Sequence, residues 1–133
     1  VELIEKDDLT DSDRGALAAG LSRVKNSTAG SWQLMHTNVS TSEARMCKVL
    51  LVAGAEVALV SRHREGITRL SARATRNATL RGVHLGDIMA GLAEKLGGEG
   101  GGHDGAAGWS GAAERVAVES AFIHSLSGIV RVE

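Results

Sequence analysis

Apolar residues recur every three or four positions along four stretches of this chain and alternate along others. From His84 to Leu96, residues Leu85, Ile88, Leu92 and Leu96 fall on one helical face, and Gly97-Gly98 follow as a stop. Gly111 to Leu126 repeats the pattern with Ala112, Val116, Ile123 and Leu126, and Gly128 ends it. A shorter helix is predicted for Asp13 to Arg23, where Leu17 and Leu21 stand four apart, and Asn26 to Gly30 breaks it. Ser40 precedes Glu43 by three, the spacing of a capping box, and Ala44, Cys47, Val49, Leu50 and Leu51 carry a helix up to Gly54.

Between these helices the period changes to two. Val57, Leu59 and Ser61 alternate with Ala58, Val60 and Arg62; Glu65-Gly66 supplies a turn, and alternation resumes from Ile67 to Thr75. That is the clearest hairpin in the chain. Trp32 to His36 reads as a short strand, Ala106 to Trp109 as a brief extension, and Ile129 to Val132 as a returning terminal strand. The alternation predicts an α/β fold, a central mixed β-sheet including a hairpin and flanked by α-helices. We divide the chain into an N-terminal linker and helical extension (1–39) and a domain (40–133).

Composition narrows the function. The 133 residues are 43% hydrophobic, enough for a real core, but only 2% aromatic, which is thin for a platform that stacks several bases. Net charge is −1, so no bulk field selects a polyanion. The distribution is uneven, however. Arg45 to Arg81 carries eight Lys or Arg against Glu56 and Glu65, whereas the first thirteen residues carry six acids against Lys6. A local basic surface attracts phosphate even on a neutral chain. Cys47 is alone and has no partner for an internal disulfide, which fits a reducing, cytoplasmic setting. No apolar run approaches the ~20 residues of a spanning helix, so no membrane partner is expected. The chain opens on Val1 without methionine, and we read it as an excised or processed segment of a longer protein.

Gly98 to Trp109, GEGGGHDGAAGW, places six glycines, a histidine and an aspartate in twelve positions. Fixing glycine costs folding entropy, so such a run is either slack loop or a place of close approach to backbone. Around Gly100 to Gly102, bare N–H groups are able to converge on an anion, and His103 adds a ring donor. Neither a G-x-G-x-x-G fingerprint nor a Walker loop is present. The five histidines (His36, His63, His84, His103, His124) are scattered without metal-ligand spacing. His103-Asp104 alone cannot complete a metal shell. Cys47 reads as core, and Ser110 as a helix cap rather than a nucleophile.

GGGHDGAAG, Gly100 to Gly108, resembles the G-G-G-H-x-x-A-A-G signature of the DHH-associated C-terminal domain. That domain occurs in RecJ-like single-strand exonucleases, in oligonucleotide and cyclic-dinucleotide phosphodiesterases and, in related form, in alanyl-tRNA synthetases. The order of elements from Ser40 to Glu133 is also similar. The resemblance implies substrate-binding roles for Gly101, Gly102 and His103, and for Arg73 in Ser71-Ala72-Arg73. The family more often has serine after that arginine, where this chain has Ala74. Guanidinium independently suits the task, since its planar fork matches phosphate oxygens. Alternation sets Arg69, Ser71, Arg73 and Thr75 on one face, and Arg69, Arg76 and Arg81 form a possible electrostatic rim.

The resemblance further implies a parent phosphodiesterase of RecJ-like type, a metal-dependent hydrolase. Its N-terminal DHH domain, with Mn2+ or Mg2+, would act on single-stranded nucleic acid or a short oligonucleotide. This segment itself is expected to hold no metal, no catalytic residue and no activity alone. Two alternatives stand beside that reading: a tRNA-binding domain of an alanyl-tRNA-synthetase-like protein, and a structural or dimerisation domain.

Overall fold

The computed structural model describes residues 9–133; most of the acidic opening, 1–8, lies outside them. In chain order the elements are α1 (Asp11–Ser22), β1 (Lys25–Ala29), β2 (Trp32–Asn38), α2 (Glu43–Val52), β3 (Val57–Arg64), β4 (Ile67–Ala74), α3 (Arg76–Leu80), α4 (Leu85–Leu96), β5 (Glu99–Gly102), β6 (Ala106–Gly111) and α5 (Arg115–Ser127). The six strands form one sheet in the order β1-β2-β3-β4-β6-β5. β2 and β3 run parallel, joined through α2, and the other pairs are antiparallel. The mixed sheet with its hairpin and flanking helices is the fold that the periodicity predicts.

Alternation along the strands divides the core between the two faces of the sheet. On one face Leu34, Val57, Leu59, Leu70, Ala72 and Trp109 pack with Met89 and Leu92 of α4 and with Phe122 and Leu126 of α5. On the other, Ala58 and Val60 meet Met46, Cys47 and Leu50 of α2. Each large side chain fully buried in this way contributes about 1.5–3 kcal/mol. Both tryptophans also find a partner for the ring N–H: Trp32 Nε1 donates to Ile129 O at 3.0 Å and Trp109 Nε1 to Gly97 O at 3.0 Å. The sheet crosses residue 39 without interruption, since β2 pairs with β1 on one side and with β3 on the other.

Several local expectations are corrected. The segment after α1 does end the helix, but it is itself a strand that the sequence did not signal: Lys25–Ala29 pairs along its whole length with Trp32–His36. α1 buries Ala16 and Gly20, not Leu21, which is 49% exposed. A Cβ at Gly20 would come within 2.6 Å of Met46 Cε, so small residues set how closely this helix approaches. Ser42, not Ser40, is the N-cap of α2; its hydroxyl serves Asp13 instead of the helix. α5 begins at Arg115, so Ser110 lies in β6 and caps nothing. The buried stripe of α5 is Val118, Glu119, Phe122 and Leu126, while Val116 is 56% exposed. Ile129–Val132 forms no strand; Arg131 instead stacks over Trp32 at 4.1 Å and bonds Glu56 with both terminal nitrogens at 2.8 and 2.9 Å.

Asp13 ties α1 to the start of α2. Its carboxylate accepts from Ser42 Oγ at 2.6 Å and from Thr10 N at 3.0 Å, with Arg45 at 3.2 Å. The Ser42 bond, then the Thr10 bonds, hold its pKa down to about 2. Because the folded value lies below the unfolded one (~3.9), the contribution is complete above that range and lost as pH falls towards 2. Asp13→Asn should therefore lower Tm at pH 6 and lose this deficit near pH 2. Thermal melts of both proteins at the two pH values check it; an equal deficit at both would contradict the assignment.

Candidate functional site

The glycine-rich run is not a loop. Gly100, Gly101 and Gly102 lie in β5, opposite Trp109, Gly108 and Ala107 of β6, and His103-Asp104-Gly105 makes the turn between them. α4 lies directly against this hairpin. A Cβ at Gly100 would overlap the Met89 carbonyl, and one at Gly86 would overlap the carbonyl of Gly102. Gly102 is further constrained by φ of +142° and by Ala107 Cα, 2.6 Å from where its Cβ would stand. The bare backbone at these positions serves helix–strand packing.

The turn also satisfies the amino end of α4. Leu85 N donates to Asp104 O and Gly86 N to His103 O, both at 2.8 Å, and Asp87 N donates to His84 Nδ1 at 3.0 Å. Those donors of the first helical turn are therefore occupied by the protein itself. His103 N donates to Ala106 O at 2.8 Å, which leaves the His103 ring exposed at the tip.

Gly101 differs from its neighbours. A Cβ there would meet nothing within 4 Å. In register, Gly101, Gly108 and Ser71 form a row of small residues across β5, β6 and β4, and Glu99, Ser110 and Arg69 form the next. Together they floor an open depression of about 380 Å3 with Arg69 and Glu99 at its borders. Sequence reasoning missed Ser71, Gly108 and Ser110 as a floor. The signal was the alternation of small residues in Gly108-Trp109-Ser110, visible once β5 is known to be a strand.

Arg73 is the penultimate residue of β4, half-buried, opposite Ala58 on one side and Ala106 on the other. Ala106 is the residue whose carbonyl holds His103 N, so backbone register brings Arg73 and His103 to the same end of adjoining strands. Arg73 lies on the α2 face, where its charge opposes the effect of burial on Cys47. Burial pushes that thiol up to about 12, and its Sγ donates to Ser71 O at 3.4 Å, so Cys47 is an inert core residue. Thr75 leaves the arginine face to cap α3, accepting from Ala78 N at 3.1 Å. Arg76 is exposed at the start of α3. Arg81 is otherwise engaged: it donates to Asn77 Oδ1 at 3.2 Å and Val132 O at 3.3 Å, clasping the C-terminal segment. Among the described residues no group of three or more His, Cys, Asp or Glu could hold a metal ion. No helix among them is long and apolar enough to cross a membrane.

Comparison with known proteins gives the family of the chain and the fold it shares. The DHHA1 domain model matches residues 33–126, and the chain belongs to the DHHA1 family. An uncharacterised protein of Methanocaldococcus jannaschii is 40% identical over 74 residues, which span 54% of this chain but only 22% of that protein. The fold is shared with the C-Ala domain of Aquifex aeolicus alanyl-tRNA synthetase (TM-score 0.64, 15% identity, 78% of this chain and 99% of that one). It is shared also with an exopolyphosphatase-related protein of Bacteroides fragilis (0.66, 15%, covering 93% and 40%) and a pGpG-specific phosphodiesterase of Vibrio cholerae (0.59, 15%, covering 86% and 39%). In the last two the matching part is less than half of a longer chain.

The contrast between neighbouring glycines is testable. Gly100→Ala should destabilise the fold by about 1–3 kcal/mol, the usual penalty of overpacking. Gly101→Ala should change stability by less than ~1 kcal/mol. Urea denaturation of both variants checks this; equal destabilisation would contradict the assigned geometry.

Proposed function

We propose that this domain grips the phosphate-bearing part of a single-stranded nucleic acid or short nucleotide at the end of β4, β5 and β6. Arg73 supplies the planar donor fork, His103 a ring donor, and Gly101, with Gly102 beside it, a surface that a ligand can approach without meeting a side chain. Arg69 and Arg76 add positive potential at the rim. The observation that carries the reading is Gly101: the fold places no atom within 4 Å of a Cβ there, yet it stands beside two glycines that packing demands.

In this proposal the domain works in a RecJ-like phosphodiesterase of the DHH class. Hydrolysis belongs to an N-terminal DHH domain holding Mn2+ or Mg2+, outside the residues of this chain. The part played here is to bind and orient, fixing the scissile bond relative to chemistry performed elsewhere. A second reading is favoured by one comparison, in which nearly the whole C-Ala domain of an alanyl-tRNA synthetase is matched. On that reading the same phosphate grip holds tRNA.

Fluorescence anisotropy at one fixed salt concentration tests both, with a short single-stranded DNA, its RNA counterpart and tRNA as probes. Charge-assisted hydrogen bonds are worth about 1.5–3 kcal/mol each. Arg73→Ala and His103→Ala should thus each weaken binding about tenfold or more, and Gly101→Ala should weaken it without lowering Tm. A preference for tRNA over both oligonucleotides supports the second reading. Unchanged affinity in Arg73→Ala and His103→Ala overturns the site.

A further inference from the structure

A second cluster of cationic groups lies on the opposite face of the sheet, three strands away from the hairpin of β5 and β6. Arg23, Lys25, His36, Asn38, Arg115 and Glu119 line a depression of about 330 Å3 between the open edge of the sheet and the first turns of α5. Such a volume is at the small end of ligand pockets. Lys25 of β1 stands directly opposite His36 of β2, which is opposite Leu59 of β3 in turn. Arg115 is the first helical residue of α5, so the depression lies beside the positive end of that helix.

The charge balance distinguishes this place from ordinary surface. Three permanent cations, Arg23, Lys25 and Arg115, face one carboxylate, Glu119. That carboxylate is already engaged: it is buried, accepts from Ser61 Oγ at 2.5 Å and takes Arg115 Nη1 at 3.2 and 3.3 Å. Arg23 donates one Nη2 bond to Asn38 O at 2.8 Å, leaving most of its fork unused. Neither the Lys25 ammonium nor the His36 ring has a hydrogen-bond or ion-pair partner among the described residues. Half-buried His36 is held below its ordinary pKa, first by burial, with Lys25 and Arg115 acting in the same direction and Glu119 against them.

We propose that this depression is a second phosphate-binding site, taking a phosphate group between Lys25, Arg23, His36 and Arg115. An anion seated there would offset the mutual repulsion of the cations and accept from donors that the protein leaves unpaired. It is independent of the proposed Arg73 and His103 site, being on the other face of the sheet. The shared chemistry is phosphate, free or in a phosphodiester chain.

The test is NMR titration of the whole chain, first with inorganic phosphate and then with a short single-stranded oligonucleotide, in the His103→Ala background. Saturable shifts should appear at His36, Asn38 and the Arg115 side chain, with the His36 titration midpoint raised. Lys25→Ala, at an exposed position outside the core, should weaken phosphate binding at least threefold at unchanged Tm. Competition by the oligonucleotide at the same signals assigns the ligand as a phosphodiester strand; phosphate alone assigns it as free phosphate or a monoester, and both support the site. Absence of saturable shifts with either probe, or equal affinity in Lys25→Ala, overturns it.

Discussion

The close approach of α4 to β5 is the contact on which the rest of this structure depends. A helix ordinarily stands off from a sheet by the thickness of two side-chain layers. Here the Met89 carbonyl occupies the space that a Cβ at Gly100 would fill, and the Gly102 carbonyl does the same at Gly86. With α4 drawn in, the carbonyls of His103 and Asp104 reach its first N–H groups, and the turn is fixed from behind. The His103 ring is left outward on a rigid support. Conformational freedom is removed from the tip before any ligand arrives, which is the usual way that a weakly stabilised loop is made into a precise one.

Helices and the hairpin were legible because their residues obey a single period. Leu85, Ile88 and Leu92 are buried as their spacing predicts, and Glu65-Gly66 turns the β3–β4 hairpin. What was illegible had lost its periodic signal for a physical reason. β5 consists of a glutamate and three glycines, and glycine carries no pattern of sides. β1, an exposed edge strand of Lys25-Asn26-Ser27-Thr28-Ala29, has almost no buried face to betray it. The buried stripe of α5 includes Glu119, whose carboxylate is bonded there by Ser61 from a distant strand and by Arg115. The end of the chain reads in sequence as a returning strand, but Arg131 fixes it through Trp32 and Glu56 instead.

The candidate site divides in the same way. Gly101, Gly102 and His103 could be singled out from a nine-residue signature and Arg73 from Ser71-Ala72-Arg73 on a preceding strand, and register brings these strands together. Which glycine is free to face a ligand could not be read from that signature, because the distinction depends on α4 behind the strand. Arg81 shows the converse: a cation that looks like rim in sequence is occupied by Asn77 and Val132 in the fold. A net charge of −1 likewise conceals how the charges are sorted, with unpaired cations gathered on particular parts of the sheet while Asp13, Glu56 and Glu119 are bound to partners.

A crystal structure of the domain with a short 5′-phosphorylated single-stranded oligonucleotide bears most directly on this account. It should place a phosphate within hydrogen-bonding distance of the Arg73 guanidinium and the His103 imidazole, with the strand lying over Gly101 and α4 unmoved. An oligonucleotide bound elsewhere, with both side chains facing solvent, would contradict it.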